Sequence, residues 1–120
     1  MALTVANCYK WTLHNTGGFV SIVQVTGDAA YPNTGGTIGY PITPATFGLN
    51  AFAATNDFGS TVPTMPYVNL GNVAPAGAAG GFTKIDGTSS NLRFFGPTGT
   101  EIANAASAAG ILAILMAFGT

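Results

Sequence analysis

His14 and Cys8 are the side chains of this sequence with the chemistry of a general base and a nucleophile, the combination that activates a thiol for covalent catalysis. Both fall in residues 8–14, where Tyr9, Trp11 and Leu13 alternate with Cys8, Lys10, Thr12 and His14, the pattern of a half-buried strand. Six positions apart on one strand, they lie about 20 Å from each other. They are not a dyad. Without a second ligand or base beside it, His14 reads as a surface or loop-edge histidine, and Cys8 as a small, buried or half-buried apolar residue. A single cysteine forms no internal disulfide and fits a reducing compartment.

The carboxylates Asp28, Asp57, Asp86 and Glu101 are scattered, each next to turn residues, where Asp commonly accepts hydrogen bonds from nearby backbone amides. The sequence has no calcium loop, no phosphate-cradling Gly-x-x-x-x-Gly-Lys and no Gly-x-Ser-x-Gly elbow. Asp57-Phe58-Gly59 spells the metal-binding triplet of kinases, but the glycine-rich loop, strand lysine and catalytic loop that give it meaning are missing. The expectation is a non-enzymatic protein with no cofactor, no metal and no catalytic residue.

Charge is the unusual feature of the composition. Asp, Glu, Lys and Arg make up 6% of 120 residues, against about 25% in an ordinary soluble domain. With a net charge of -1, a lone copy has little repulsion to keep it from associating, which points to a chain packed among neighbours. Lys10, Lys84 and Arg93 cannot supply the phosphate-neutralising surface that nucleic acid requires, and an anionic membrane surface is excluded on the same ground. The longest apolar run, residues 108–118, is shorter than the roughly twenty residues that span a bilayer. The opening residues 1–7 lack the basic start and long apolar centre of a secretion signal, which leads us to expect assembly in a cytoplasm.

The positioning elements are organised around residues 28–49, a long shaped connection. Tyr31 precedes Pro32 and is pushed out of helical backbone, and Gly35-Gly36 permit almost any conformation. Thr43 then caps a short helical turn at residues 44–48, with Pro44 at its first position, Gly48 ending it in the left-handed region and Leu49 as an apolar anchor. Before this segment, residues 8–14 and 19–26 form a hairpin. After it, residues 50–58 make a weaker strand candidate, and the Pro- and Gly-rich residues 61–81 allow at most a short or edge strand near residues 67–70.

Residues 82–85 and 91–95 form a second hairpin across the turn at residues 86–90. Residues 108–118 favour helix by propensity, but as a strand they would place Leu112, Ile114, Met116 and Phe118 on one face and Ile111, Ala113, Leu115 and Ala117 on the other, as in a strand covered on two sides. We read them as strand. Trp11 and Phe94 take the apolar parity of their strands and are expected in the core, while Phe95 takes the opposite parity beside Arg93. Strands between turn signals, with no long helical period, predict a single all-β domain at residues 8–120, a sandwich or barrel, behind an arm at residues 1–7.

The run Val25-Thr26-Gly27-Asp28-Ala29-Ala30-Tyr31-Pro32, then Gly35-Gly36 and Pro44-Ala45-Thr46-Phe47-Gly48-Leu49, resembles a segment of small virion structural proteins of tailed phages. Looser matches are Gly80-Gly81-Phe82 leading to Asp86, Leu92-Arg93-Phe94-Phe95 ahead of Gly99-Thr100-Glu101, and a closing Ala117-Phe118-Gly119. The resemblance covers most of the chain after Tyr9, and the very low charge and residues 61–81 depart from it. It implies a head-decoration (cement) protein: a jelly-roll-like β-sandwich on the outer capsid surface, with the major capsid protein and itself, as homodimer or homotrimer, for partners.

On that reading the intersubunit contacts are expected from the arm (Leu3, Val5), from the loop at residues 28–40 (Tyr31, Pro32, Tyr40), from residues 61–81 (Pro63, Pro66) and from Phe95. Two other classes stay open. A carbohydrate-binding module on a similar sandwich would display exposed aromatics in a row, and a small hydrolase would need a second acid or base close to His14.

Overall fold

In the computed structural model, residues 3–13, 17–35, 37–53, 67–73, 81–86, 89 and 91–120 are described. Phe19–Thr26, rich in β-branched residues, and the apolar run Leu112–Gly119 become the two central strands, β2 and β8, with burial alternating along both. They pair antiparallel along their full length, from Phe19 opposite Gly119 to Thr26 opposite Leu112. β1 (Thr4–Thr12) pairs with the other side of β2, with a bulge between Val5 and Asn7. β5 (Tyr67–Val73) pairs with β8, with an irregularity between Asn69 and Gly71. The sheet order is β1-β2-β8-β5.

A second layer closes one face of this sheet. It holds the hairpin of β6 (Phe82–Ile85) and β7 (Leu92–Phe95), the two-residue strands β3 (Asn33–Thr34) and β4 (Thr37–Ile38), and a 3-10 turn at Pro44–Phe47. The result is a single-domain all-β sandwich whose described second layer is built of short hairpins and loops. Between the layers, Val23 and Val25 of β2, Ala113, Leu115 and Ala117 of β8, and Tyr67 of β5 meet Tyr31, Tyr40, Phe47, Leu92 and Phe94 in one core.

Polar side chains join the layers at the β5 edge. Asn69 donates its side-chain amide to the Thr83 hydroxyl at 2.7 Å, and Asn72 accepts from the Thr83 backbone amide at 3.0 Å and from its hydroxyl. Strand asparagines are unfavourable as packing residues. Here they satisfy the edge of β6.

The 3-10 turn has the expected ends. Pro44 opens it, Gly48 closes it at φ 69° with its amide donating to the Ala45 carbonyl at 3.1 Å, and Leu49 is buried beyond it. Of the expected strand at residues 50–58, residues 50–53 run beside the end of β8: Ala53 donates to the Phe118 carbonyl at 2.8 Å and Thr120 to the Ala51 carbonyl at 2.9 Å. The approach is close enough that a methyl on Gly119 would lie 2.0 Å from the Ala51 oxygen. The remainder of that candidate, with Asp57, lies outside the described residues, as does His14.

Four expectations are corrected. Residues 4–7 are the first part of β1, paired with β2 from Thr4 onward, and not a free arm. Trp11 is exposed: the strand parity is as expected, but its aromatic side faces away from the second layer. The inward side of β1 abuts the 3-10 turn, where Cys8 Sγ lies 3.4 Å from the Phe47 carbonyl and Lys10 Nζ donates to the Gly48 carbonyl at 3.2 Å. Short or polar-tipped side chains suit those carbonyls, and large rings do not. Cys8 itself is exposed rather than buried or half-buried. Finally, β8 is fully covered on one side only. Ala113, Leu115 and Ala117 are buried, whereas Leu112, Ile114 and Met116 are half-buried and Phe118 is exposed.

Candidate interaction surface

The side of the four-stranded sheet turned away from the second layer carries exposed apolar side chains. Register aligns its side chains into rows, because directly paired residues of an antiparallel sheet share a face. Trp11, Val20 and Phe118 form one row; Tyr9, Ile22, Met116 and Val68 form the next. Asn7, Gln24, Ile114 and Gly71, then Thr4, Thr26, Leu112 and Val73, pair in the remaining rows. None of the described charged residues stands in these rows. Lys10 faces the other way, and Lys84, Asp86, Arg93 and Glu101 lie on or beside the β6-β7 hairpin.

Exposure is high for such side chains. Tyr9 is 57% exposed, Trp11 51%, Val68 44% and Phe118 40%, and Leu70 in the β5 irregularity is 51% exposed. Isolated exposed apolar residues are ordinary, but a contiguous apolar patch marks an interaction site. Tyr9 and Trp11 stand with their rings 6.3 Å apart and 20° from parallel. At the opposite edge the β5 strand is tied to β6 through Asn69 and Asn72.

The expected contact residues divide by location. Tyr31, Pro32 and Tyr40 are buried within the chain, so their side chains are not available to another subunit, and that expectation is corrected. Tyr31 donates to Glu101 Oε1 at 2.7 Å and accepts from the Phe94 amide at 3.0 Å, while its ring meets Tyr40 and Phe94. Tyr40 donates to Asp28 Oδ1 at 2.6 Å, and its hydroxyl accepts from the Asp28 amide. A Tyr-Pro turn signals loop chemistry, yet its aromatic ring anchors the second layer. Leu3 is half-buried against the core, Val5 is exposed on the β1 edge, and Phe95 is half-buried in a parallel stack on Phe82 at 5.1 Å. Pro63 and Pro66 lie outside the described residues.

The carboxylates are not all solitary. Asp28 makes the expected turn contact, accepting from the Ala30 amide at 3.1 Å. Arg93, however, forms a two-pronged pair with Glu101, through Nε at 2.9 Å and through Nη2, with Asp86 4.0 Å away. That guanidinium holds the Glu101 carboxyl below its ordinary range, assisted by the Tyr31 hydroxyl. The cluster is a structural clamp between β7 and the following loop, a position legible from the Gly96-Pro97-Thr98-Gly99 turn that folds Glu101 back on Phe95.

Among the described residues, no group of three His, Cys, Asp or Glu side chains is arranged to hold a metal ion. No helix among them is long and apolar enough to cross a membrane. A depression of about 250 Å³ lies between Gly81, Pro97, Ile102 and Ile111, and its lining carries no ionisable side chain. Comparison with protein-family models, curated proteins and solved structures finds no match.

Proposed function

We propose that this chain is a non-enzymatic head-decoration (cement) protein of a tailed-phage virion, bound to the outer capsid surface and reinforcing contacts between copies of the major capsid protein. The observation that carries the reading is the open sheet face from Trp11 to Val68, apolar, uncharged and exposed. A chain of net charge -1 with such a face is built for contact rather than for solitary life. The resemblance of residues 25–49 to virion structural proteins supplies the particular setting.

The mechanism is additive contact. A protein that bridges neighbouring coat subunits gives each junction additional interface to break before the shell ruptures. Engagement of several subunits at once raises effective concentration, so each contact can be modest. Apolar surface and free strand edges suit this better than charges, whose desolvation offsets much of their attraction.

Heads prepared with and without the chain are expected to differ in thermal stability, the decorated heads retaining DNA to a higher temperature. Equal release temperatures, or absence of the chain from purified virions, would overturn the reading. The paired, exposed Tyr9 and Trp11 rings favour one alternative, a carbohydrate-binding sandwich. Saturable, competed glycan binding that disappears in Trp11→Ala would select it.

A further inference from the structure

We propose that the open face of the β1-β2-β8-β5 sheet is closed by the same face of a second copy, giving a symmetric dimer through sheet-on-sheet packing. The inference deepens the assembly reading above by naming the occupant of that surface, and it does not depend on the capsid.

Area is the first argument. Four strands about 4.8 Å apart and some eight residues long at about 3.3 Å each present a face of roughly 500 Å². Two copies together bury about 1,000 Å² in plan, and more once side-chain relief is counted, which meets the minimum of about 1,000 Å² for a biological interface. At that size the face ranks with the largest apolar patches of monomers, which are often functional.

Charge is the second. A two-fold contact brings the patch against a copy of itself, so a face carrying one sign of charge would meet like charge. Here two rows, Trp11-Val20-Phe118 and Tyr9-Ile22-Met116-Val68, are apolar, and the two beyond them bring in the uncharged Asn7, Gln24, Thr4 and Thr26. Among the described residues of the face, no charge repels a second copy.

Shape is the third. Ile22, Ile114 and Met116 on the central strands are half-buried, while the outer strands carry the most exposed side chains, Tyr9 and Trp11 on β1 and Val68 on β5. Sheets pack about 10 Å apart by interdigitating such side chains, at a small angle set by their twist. The aromatic edge and the shorter aliphatic edge are complementary in height. A dimer built this way has a second layer on each outer side and leaves the β1 and β5 edges and the β6-β7 hairpins outward, doubling the surface for a lattice.

Sedimentation velocity on the full chain tests the proposal. Wild type is expected to show a concentration-dependent monomer–dimer equilibrium. Met116→Arg at the centre of the face should raise the dimer Kd by about 100-fold or more, since it buries an unpaired charge in the contact. Tyr9→Arg and Val68→Arg, at positions exposed on opposite edges, keep the test valid if the central variant misfolds, and each should weaken the dimer by about 10-fold. Lys84→Gln on the second layer should leave it unchanged.

A wild type that is monomeric at every concentration overturns the inference. So does a dimer indifferent to all three face substitutions, which would place the contact elsewhere. If the dimer forms and responds as expected but the protein does not stabilise heads, the decoration reading fails and the dimer stands.

Discussion

Tyr31→Ala is expected to leave the chain largely unfolded near 37 °C. Tyr31 is fully buried, and its ring meets Tyr40 and Phe94 with centroids 5.6 and 6.0 Å away. Its hydroxyl binds Glu101 and the Phe94 amide, while its own backbone amide and carbonyl bond to Ala106 and Ala105. Truncating a buried aromatic costs about 3–5 kcal/mol, and orphaning its hydrogen-bond partners adds about 1–3. A small domain has roughly 5–15 kcal/mol in total. Tyr31→Phe separates the two contributions: it keeps the ring and is expected to lose only about 1–3 kcal/mol by chemical denaturation. Near-equal losses for Ala and Phe would mean that the ring contributes little, contrary to its place at the junction of β7, the residue 28–40 loop and the loop after Glu101.

Alkaline unfolding is the second large effect. Burial pushes the Tyr40 hydroxyl up to about 12 and raises Tyr31 and Tyr67 further, with hydrogen bonding to Asp28 and Glu101 reinforcing the first two. In the unfolded chain these groups ionise near 10.0. Folded tyrosines that hold their protons to higher pH contribute stability that is intact below pH 10 and is lost as pH rises through 10 toward 12 and beyond. Three of the four tyrosines share this behaviour. Near-UV circular dichroism and tyrosinate absorbance should therefore change together in one steep transition. Complete tyrosine ionisation near pH 10 with tertiary structure intact would show that the rings are not held as described.

Much of the fold was legible because its signals are local. The β6-β7 hairpin, the 3-10 turn between Thr43 and Gly48, and the edge strand near Tyr67 each follow from turn chemistry or from proline and glycine placement. Residues 112–119 required a choice between propensity and pattern, and pairing with β2 decided for strand. What local signals could not supply was the side of a strand that faces the core. Trp11 shares its side of β1 with Tyr9 as alternation predicts, but the inner side is fixed by the carbonyls of a turn some forty residues away. The same limit hid the open face, because apolar side chains on both sides of β8 read as cover on both sides. Tyr31 and Tyr40 were misplaced for the opposite reason. Their turn setting suggested surface, whereas a second layer of short hairpins has few other large side chains with which to fill its core.

The claim that the outer sheet face is a contact surface can be tested most directly through Trp11, the sole tryptophan, which stands on that face. Its emission should lie to the red at high dilution, where the indole meets water, and move to the blue with loss of quencher access as concentration rises, along the same curve as dimer mass. Emission that stays red and fully quenchable at every concentration would contradict the account.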